Sequence, residues 1–190
     1  ETNADVNTVG KMIGYVLSKE ITQKDGTVGG WALTGTSPDP DITGMALQAL
    51  APYYLDRTKF EAEQVSFMDT KGNKVKDYTY EEFAQAVERA IYVLSLIQKE
   101  NGGYASWGTI NSESIVQVIV ALTALDIDPI QENIELNHIG KTTDFITEGK
   151  EHEGVFTNNM IDALLTFWAN GSGSSPEVGG FKHVTAGYDG

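Results

Sequence analysis

Residues 39–52, DPDITGMALQALAP, form the stretch on which the predicted fold depends. Asp39 or Asp41 can accept hydrogen bonds from the free N–H groups at the start of a helix, and Pro40 is tolerated in a first turn. From Ile42 onward most side chains are apolar. The segment is therefore predicted to be a helix that is buried on several faces.

A glycine–glycine–aromatic turn precedes this helix and recurs twice further along the chain. The aromatic residues are 104 − 31 = 73 and 181 − 104 = 77 positions apart. A recurring unit with an amphipathic helix before the turn and an apolar helix after it indicates stacked helix pairs. We expect each aromatic side chain to pack an outer helix against an inner helix. The turns are Gly29-Gly30-Trp31, Gly102-Gly103-Tyr104 and Gly179-Gly180-Phe181.

The second apolar segment, residues 111–125, has the sequence NSESIVQVIVALTAL. Its β-branched run also fits a buried strand, and the correspondence with residues 39–52 favours a helix. Two alignments of the apolar segments remain open. One pairs the polar starts, Asp39 with Asn111, and the other is shifted by three residues and pairs MALQAL with VALTAL.

The remaining segments predict four more helices and a hairpin, and the first helix is expected at residues 6–20, where apolar side chains recur at helical spacing. Thr79 and Glu82 form a capping box that begins a helix ending near residue 98. Residues 60–76 alternate about a turn and predict a hairpin-like insertion. Shorter helices are expected at residues 139–148 and 157–168. The solvent-facing side of the long helix is expected to hold Glu82, Gln85, Glu88 and Arg89.

These elements predict an all-α fold: a partial α/α toroid of about three helix-pair repeats with glycine–glycine–aromatic turns. We expect one domain over residues 1–190, with repeats at about 1–55, 79–125 and 139–190. The chain begins at Glu1 and is expected to be a piece of a longer protein. A partial ring leaves an apolar edge open, so self-association through that edge is expected.

Composition limits the partners. The chain has 190 residues, with 13 Lys and Arg against 27 Asp and Glu, which gives a formal charge of −14. Such an acidic protein is expected to repel nucleic acid and anionic membrane surfaces. The longest apolar run is too short to span a bilayer. There is no cysteine, which removes disulfides and thiolate ligands.

Several stretches resemble a known family. Residues 98–104, QKENGGY, resemble the repeat of squalene–hopene cyclases and prenyltransferase α/α toroids, and Asp39-Pro40-Asp41-Ile42-Thr43-Gly44 looks like the Asp-x-Asp-Asp-Thr-Ala motif of the cyclases. Together with NSESIVQVIVALTAL and GGFKH, these stretches look still more like toroid repeats of bacterial cell-surface proteins. That group is related to the helical domain of transcobalamin and intrinsic factor.

The resemblance implies an extracellular or cell-surface location. The sequence departs from the catalytic motifs of the related enzymes. Asp41 takes the place of the acid that protonates the substrate in the cyclases, but Ile42 replaces the next acid. The zinc site of protein prenyltransferases and the thioester of complement-type toroids both need cysteine. The resemblance leaves corrinoid binding open as the one cofactor, and we expect no metal site because the histidines lack partners at ligand spacing.

Five residues are the candidate ligand-binding set. The main role expected for Asp39 and Asp41 is to cap a helix, with ligand contact as an alternative. Trp107 does not fit the repeat and is expected to be an exposed contact. We expect the ligand at the end where the inner helices begin. The set is Asp39, Asp41, Trp107, Glu113 and His183.

Three functions remain open. The favoured one is a non-catalytic binding or interaction module of a bacterial extracellular surface protein, with a protein, a glycan or a small molecule as its ligand. The second is a fragment of a class II terpene cyclase or prenyltransferase-like enzyme that uses Asp41 as its acid. The third is a structural assembly unit.

Overall fold

The computed structural model describes residues 7–152, 154–170 and 178–184. Each predicted inner helix begins at a polar cap: Asp39 accepts hydrogen bonds from Asp41 N and Ile42 N, and Asn111 accepts one from Ser114 N. Thr79 and Glu82 form the predicted capping box. The helices are α1 (Val9–Leu17), α2 (Pro40–Tyr54), α3 (Arg57–Ala62), α4 (Tyr80–Ile97), α5 (Ser112–Ala124) and α6 (Met160–Leu165).

Five antiparallel two-stranded sheets accompany the helices, so the predicted all-α fold is wrong. Of the residues that the structure describes, 40% are in helices and 21% in strands, which makes the protein mixed α/β rather than a partial α/α toroid. The sheets pair β1 (Ser66–Met68) with β2 (Lys74–Asp77), β3 (Ala105–Ser106) with β4 (Thr109–Ile110), β5 (Ile134–Leu136) with β6 (Lys141–Thr143), β7 (Ile146–His152) with β8 (Val155–Asn159), and β9 (Trp168–Asn170) with β10 (Val178–Phe181).

The helices α2 and α5 pack side by side and begin at the same end of the molecule. Glycine at position 44 permits this close approach, because a Cβ there would lie 2.9 Å from Gln117 O. One turn further along, Gln48 Nε2 donates to Gln117 Oε1 at 2.9 Å. Their caps are 111 − 39 = 72 residues apart. The structure therefore favours the alignment of Asp39 with Asn111.

The first two aromatic residues of the recurring turns join neighbouring helices, as predicted. Trp31 is 3% exposed, and its Nε1 donates to Val16 O in α1 at 2.8 Å. The hydroxyl of Thr43 in α2 accepts from Trp31 N and donates to Trp31 O. Tyr104 is fully buried and donates to Leu94 O in α4, and burial raises the pKa of its hydroxyl. Phe181 differs, since it is 46% exposed.

Both helices predicted in the second half of the chain, at residues 139–148 and 157–168, differ from the structure. The helix predicted over residues 139–148 is replaced by β6 and the start of β7. In the predicted helix 157–168, only Met160–Leu165 is helical, because Asn159 caps α6 and the residues before it pair with β7. Buried Ile134 and Leu136 alternate with exposed Glu135 in β5, a two-residue periodicity that belongs to a strand.

The predicted hairpin insertion is confirmed in part. The strands β1 and β2 pair across the turn at Asp69, which accepts hydrogen bonds from Lys71 N and Asn73 N. The beginning of the predicted insertion is instead helical, because Asp56 caps α3 and accepts from Lys59 N.

Glu88 was expected to face solvent from α4, and this prediction is wrong. Its side chain is 1% exposed. Its Oε1 accepts from the Tyr54 hydroxyl at 2.9 Å, and its Oε2 accepts from His138 N at 2.7 Å and Ile139 N at 3.1 Å. The loop between β5 and β6 covers this face of α4, which the helical pattern does not reveal.

Some apolar side chains of α5 remain partly open: Val116 is 38% and Val120 is 44% exposed. Self-association through an open apolar edge stays a prediction. Within the described ranges, no helix combines the length and the apolar character that crossing a membrane requires.

Candidate functional site

The candidate site is the end of the molecule where α2 and α5 begin, together with the β3–β4 hairpin beside them. We call it the helix-start face. It contains all five residues expected from the sequence and one further residue, Ser106. Its members are Asp39, Asp41, Ser106, Trp107, Glu113 and His183.

Asp39 fixes the hairpin to the start of α2. One carboxylate oxygen, Oδ1, accepts from Asp41 N and Ile42 N, both at 3.0 Å. The other oxygen, Oδ2, accepts from the hydroxyl of Ser106 at 2.9 Å. The expected capping role of Asp39 is confirmed, and the same side chain positions the hairpin that carries Trp107.

Trp107 lies at the tip of this hairpin and projects into solvent. Its exposed fraction is 94%. Trp107 and Gly108 form the turn between the paired residues Ser106 and Thr109, and both have positive φ, 53° and 87°. A two-residue turn of this kind favours asparagine or aspartate followed by glycine. A bulky residue in the left-handed region costs about 1–2 kcal/mol.

Asp41 and Ser114 hold the two buried side-chain oxygens that have no hydrogen-bond partner among the described residues. They lie one turn before Gly44 and Gln117 respectively, the pair at which α2 touches α5. Residues three apart share a helix face. The unpartnered Oδ1 of Asp41 and the unpartnered Oγ of the fully buried Ser114 are therefore on the facing sides of the two helices, in their first turns.

Glu113 and His183 join the last described segment to the start of α5. His183 Nδ1 lies 2.7 Å from Glu113 Oε2, and His183 O accepts from Ser112 N at 3.2 Å. Partial burial raises the pKa of Glu113, the hydrogen bond with His183 lowers it, and the net change is downward. Both side chains remain more than half exposed.

The two contacts with the helix starts are equivalent in the repeat. Ser106 stands two residues after Tyr104 and touches the start of α2. His183 stands two residues after Phe181 and touches the start of α5. The second and third glycine–glycine–aromatic turns thus each send a polar side chain to the preceding inner helix, which sequence periodicity alone did not show.

The arrangement offers carboxylates, one imidazole, one hydroxyl and an exposed indole. No three His, Asp or Glu side chains in the described ranges are grouped to hold a metal ion. Corrinoid binding stays a prediction, and so does the ligand-binding role of the five residues.

Sequence reasoning missed Ser106, Ser114 and Glu88. Gly108 carried a usable signal for Ser106. Two-residue hairpin turns commonly have glycine at their second position, which would place Ser106 directly before the turn. Nothing local marks Ser114 or Glu88, because their environments depend on helices and loops distant in sequence.

Comparison of the chain with protein-family models, with curated proteins and with solved structures finds no match. Together with the five sheets, this overturns the resemblance to prenyltransferase and squalene–hopene cyclase toroids and to toroid repeats of bacterial surface proteins. The acid role of Asp41 loses its basis with that resemblance. The extracellular location stays a prediction without a family to support it.

Proposed function

We propose that this protein is a non-catalytic binding module whose partner contacts the helix-start face. The observation that carries the proposal is Trp107, an indole that is 94% exposed in a left-handed backbone conformation. Tryptophan is enriched among the residues that dominate binding energy in protein interfaces.

The energetics of Trp107 favour a role outside the fold. Its backbone conformation costs about 1–2 kcal/mol, and asparagine or glycine would adopt it at lower cost. Burial of an aromatic side chain normally offsets such a cost, but this one leaves almost all its surface in water. Contact with a partner would bury that surface.

The hairpin is also held in place before any partner arrives. Ser106, next to Trp107, is bonded to Asp39, and Asp39 in turn caps α2. A contact residue on a pre-ordered support loses less conformational entropy on binding. The same argument applies to Glu113, which lies in the first turn of α5 and is oriented by His183.

A probe panel tests this function. Wild type and Trp107→Asn would be titrated with an arginine–glycine peptide, an acidic peptide, chitohexaose and cyanocobalamin, with indole fluorescence and calorimetry as readouts. We expect at least one probe to bind wild type and to bind the variant at least about tenfold more weakly.

Val75→Asn is the matched control, since Val75 is also exposed, at 59%, on a different hairpin. It should leave binding unchanged. Failure of every probe to bind, or equal binding to wild type and Trp107→Asn, would contradict the proposal. Conversion of a probe into a product would assign catalysis instead.

A further inference from the structure

We infer that the partner of the helix-start face is a polypeptide segment that carries arginine or lysine. This inference rests on the proposed function and assigns its ligand class. Its steps are the charge of the face, the partly exposed carboxylate of Asp41 and the exposed indole.

The charge of the face is negative despite the two helix N-termini. Each helix start contributes about +0.5 elementary charge, or about +1 together. Asp39, Asp41 and Glu113 contribute −3, so the sum of these charges is about −2. The chain as a whole carries −14. Both the local and the overall charge therefore attract a cationic partner.

The carboxylate of Asp41 is not fully paired within the described residues. Asp41 Oδ1 can only accept, and it lacks a donor although it is shielded from solvent. A buried acceptor without a partner costs about 1–3 kcal/mol. Ser114 Oγ, on the facing helix, lacks a partner as well. Asp41 as a whole residue is only partly buried, so a guanidinium or ammonium group at the surface of the two helix starts would contact the exposed part of its side chain and not Oδ1.

Trp107 fits the same ligand chemistry. A cation over an indole face is attracted by the ring, and tryptophan is the strongest partner for this interaction. Trp107 lies on the hairpin that Ser106 fixes to Asp39, so the face combines an aromatic surface with the carboxylates of the helix starts. An extended basic segment can place one cationic group on the indole and another against the carboxylates.

The test compares peptides on the full chain. The main probe is a peptide of about ten residues in which arginine alternates with glycine, and its control has glutamine in place of arginine. We expect the arginine peptide to bind and the glutamine peptide to bind at least about tenfold more weakly. Binding should weaken at least about tenfold between about 50 mM and about 500 mM sodium chloride.

Variants locate the contact. Trp107→Asn and Asp41→Asn should each weaken binding of the arginine peptide by about tenfold or more. Glu135→Gln removes one charge from an exposed position on β5 and should change binding less than about twofold. An equal effect of Glu135→Gln and Asp41→Asn would show that only net charge matters and would overturn the inference.

The remaining outcomes separate this inference from the proposed function. Chitohexaose, cyanocobalamin or the acidic peptide could bind in a Trp107-dependent manner while the arginine peptide does not bind. That outcome would support the proposed binding function and overturn the inference that the partner is a basic polypeptide segment. Spermidine that binds as tightly as the arginine peptide would also overturn it, because a small cation would then suffice. No binding by any probe would contradict both.

Discussion

The two ends of α2 use polar side chains in different ways. At its C-terminal end, the hydroxyl of Tyr54 and two backbone N–H groups of the β5–β6 loop all donate to buried Glu88. At its N-terminal end, Asp41 keeps a buried oxygen without a donor, and nearby Trp107 keeps its indole in water. Satisfied polar groups stabilise the fold, whereas a buried polar atom without a partner is rare and requires an explanation.

Glu88→Ala should have the largest effect on stability. It leaves the Tyr54 hydroxyl and the N–H groups of His138 and Ile139 without their acceptor, and we expect a loss of about 3 kcal/mol in the free energy of unfolding. Urea unfolding measures it. Glu88→Gln keeps one acceptor oxygen and should lose less. Since the cluster lies at the other end of α2, a folded Glu88→Gln protein should bind like wild type. Weaker binding would break the contrast between the ends.

Gly44→Ala tests the helix contact that brings the two starts together. Its Cβ would lie 2.9 Å from Gln117 O, so α2 and α5 must separate. Overpacking costs about 1–3 kcal/mol and alanine gains about 1 kcal/mol in helix propensity, so we expect a net loss of about 1 kcal/mol.

Binding at the helix-start face should weaken in the same Gly44→Ala protein, as measured by peptide titration. The control Ala49→Gly changes an exposed position of α2 and should lower stability by about 1 kcal/mol through propensity alone, with binding retained. A Gly44→Ala protein that is more stable than wild type would show that the helices are not in close contact.

Trp107→Asn should keep or raise stability. Asparagine adopts the left-handed conformation at lower cost, so the free energy of unfolding should rise by up to about 1 kcal/mol in urea titrations. Trp107→Gly should behave similarly, with part of the gain lost to the greater freedom of the unfolded chain. A clear loss of stability in both variants would mean that Trp107 supports the fold.

The smallest effect concerns Glu113 and pH. Its pKa is held below its ordinary value of 4.5, the hydrogen bond with His183 being the main lowering cause against the opposing effect of burial. A depressed folded pKa contributes stability that is present above the unfolded pKa and is lost as the pH falls through the folded pKa. Glu113→Gln should therefore remove a contribution below about 1 kcal/mol at neutral pH and flatten the loss below pH 4.5. Unfolding curves at a series of pH values would show it.

The helices could be predicted where the determinants were local. The caps at Asp39 and Thr79 predicted α2 and α4, and the correspondence of residues 111–125 with residues 39–52 predicted α5. The hairpins of the second half could not be predicted in the same way. Their strand pairings and the burial of Ile134 and Leu136 depend on tertiary contacts and not on local sequence signals. The inferred repeat then extended helices into residues 139–148, where β-strands form.

The candidate site could be predicted in part for a related reason. Trp107 stood out because it did not fit the repeat, and the helix starts could be placed together once the repeat was recognised. Ser114 could not be identified, since the sequence around it does not show that its hydroxyl is buried without a partner. Burial by a loop distant in sequence likewise hid Glu88.

The central claim is that Trp107 is retained for contact with a partner and not for the fold. The most direct measurement is a paired one on wild type and Trp107→Asn: urea unfolding of both proteins and titration of both with the arginine–glycine peptide. The account predicts binding weakened at least about tenfold with no loss of unfolding free energy. Unchanged binding together with a less stable variant would contradict it.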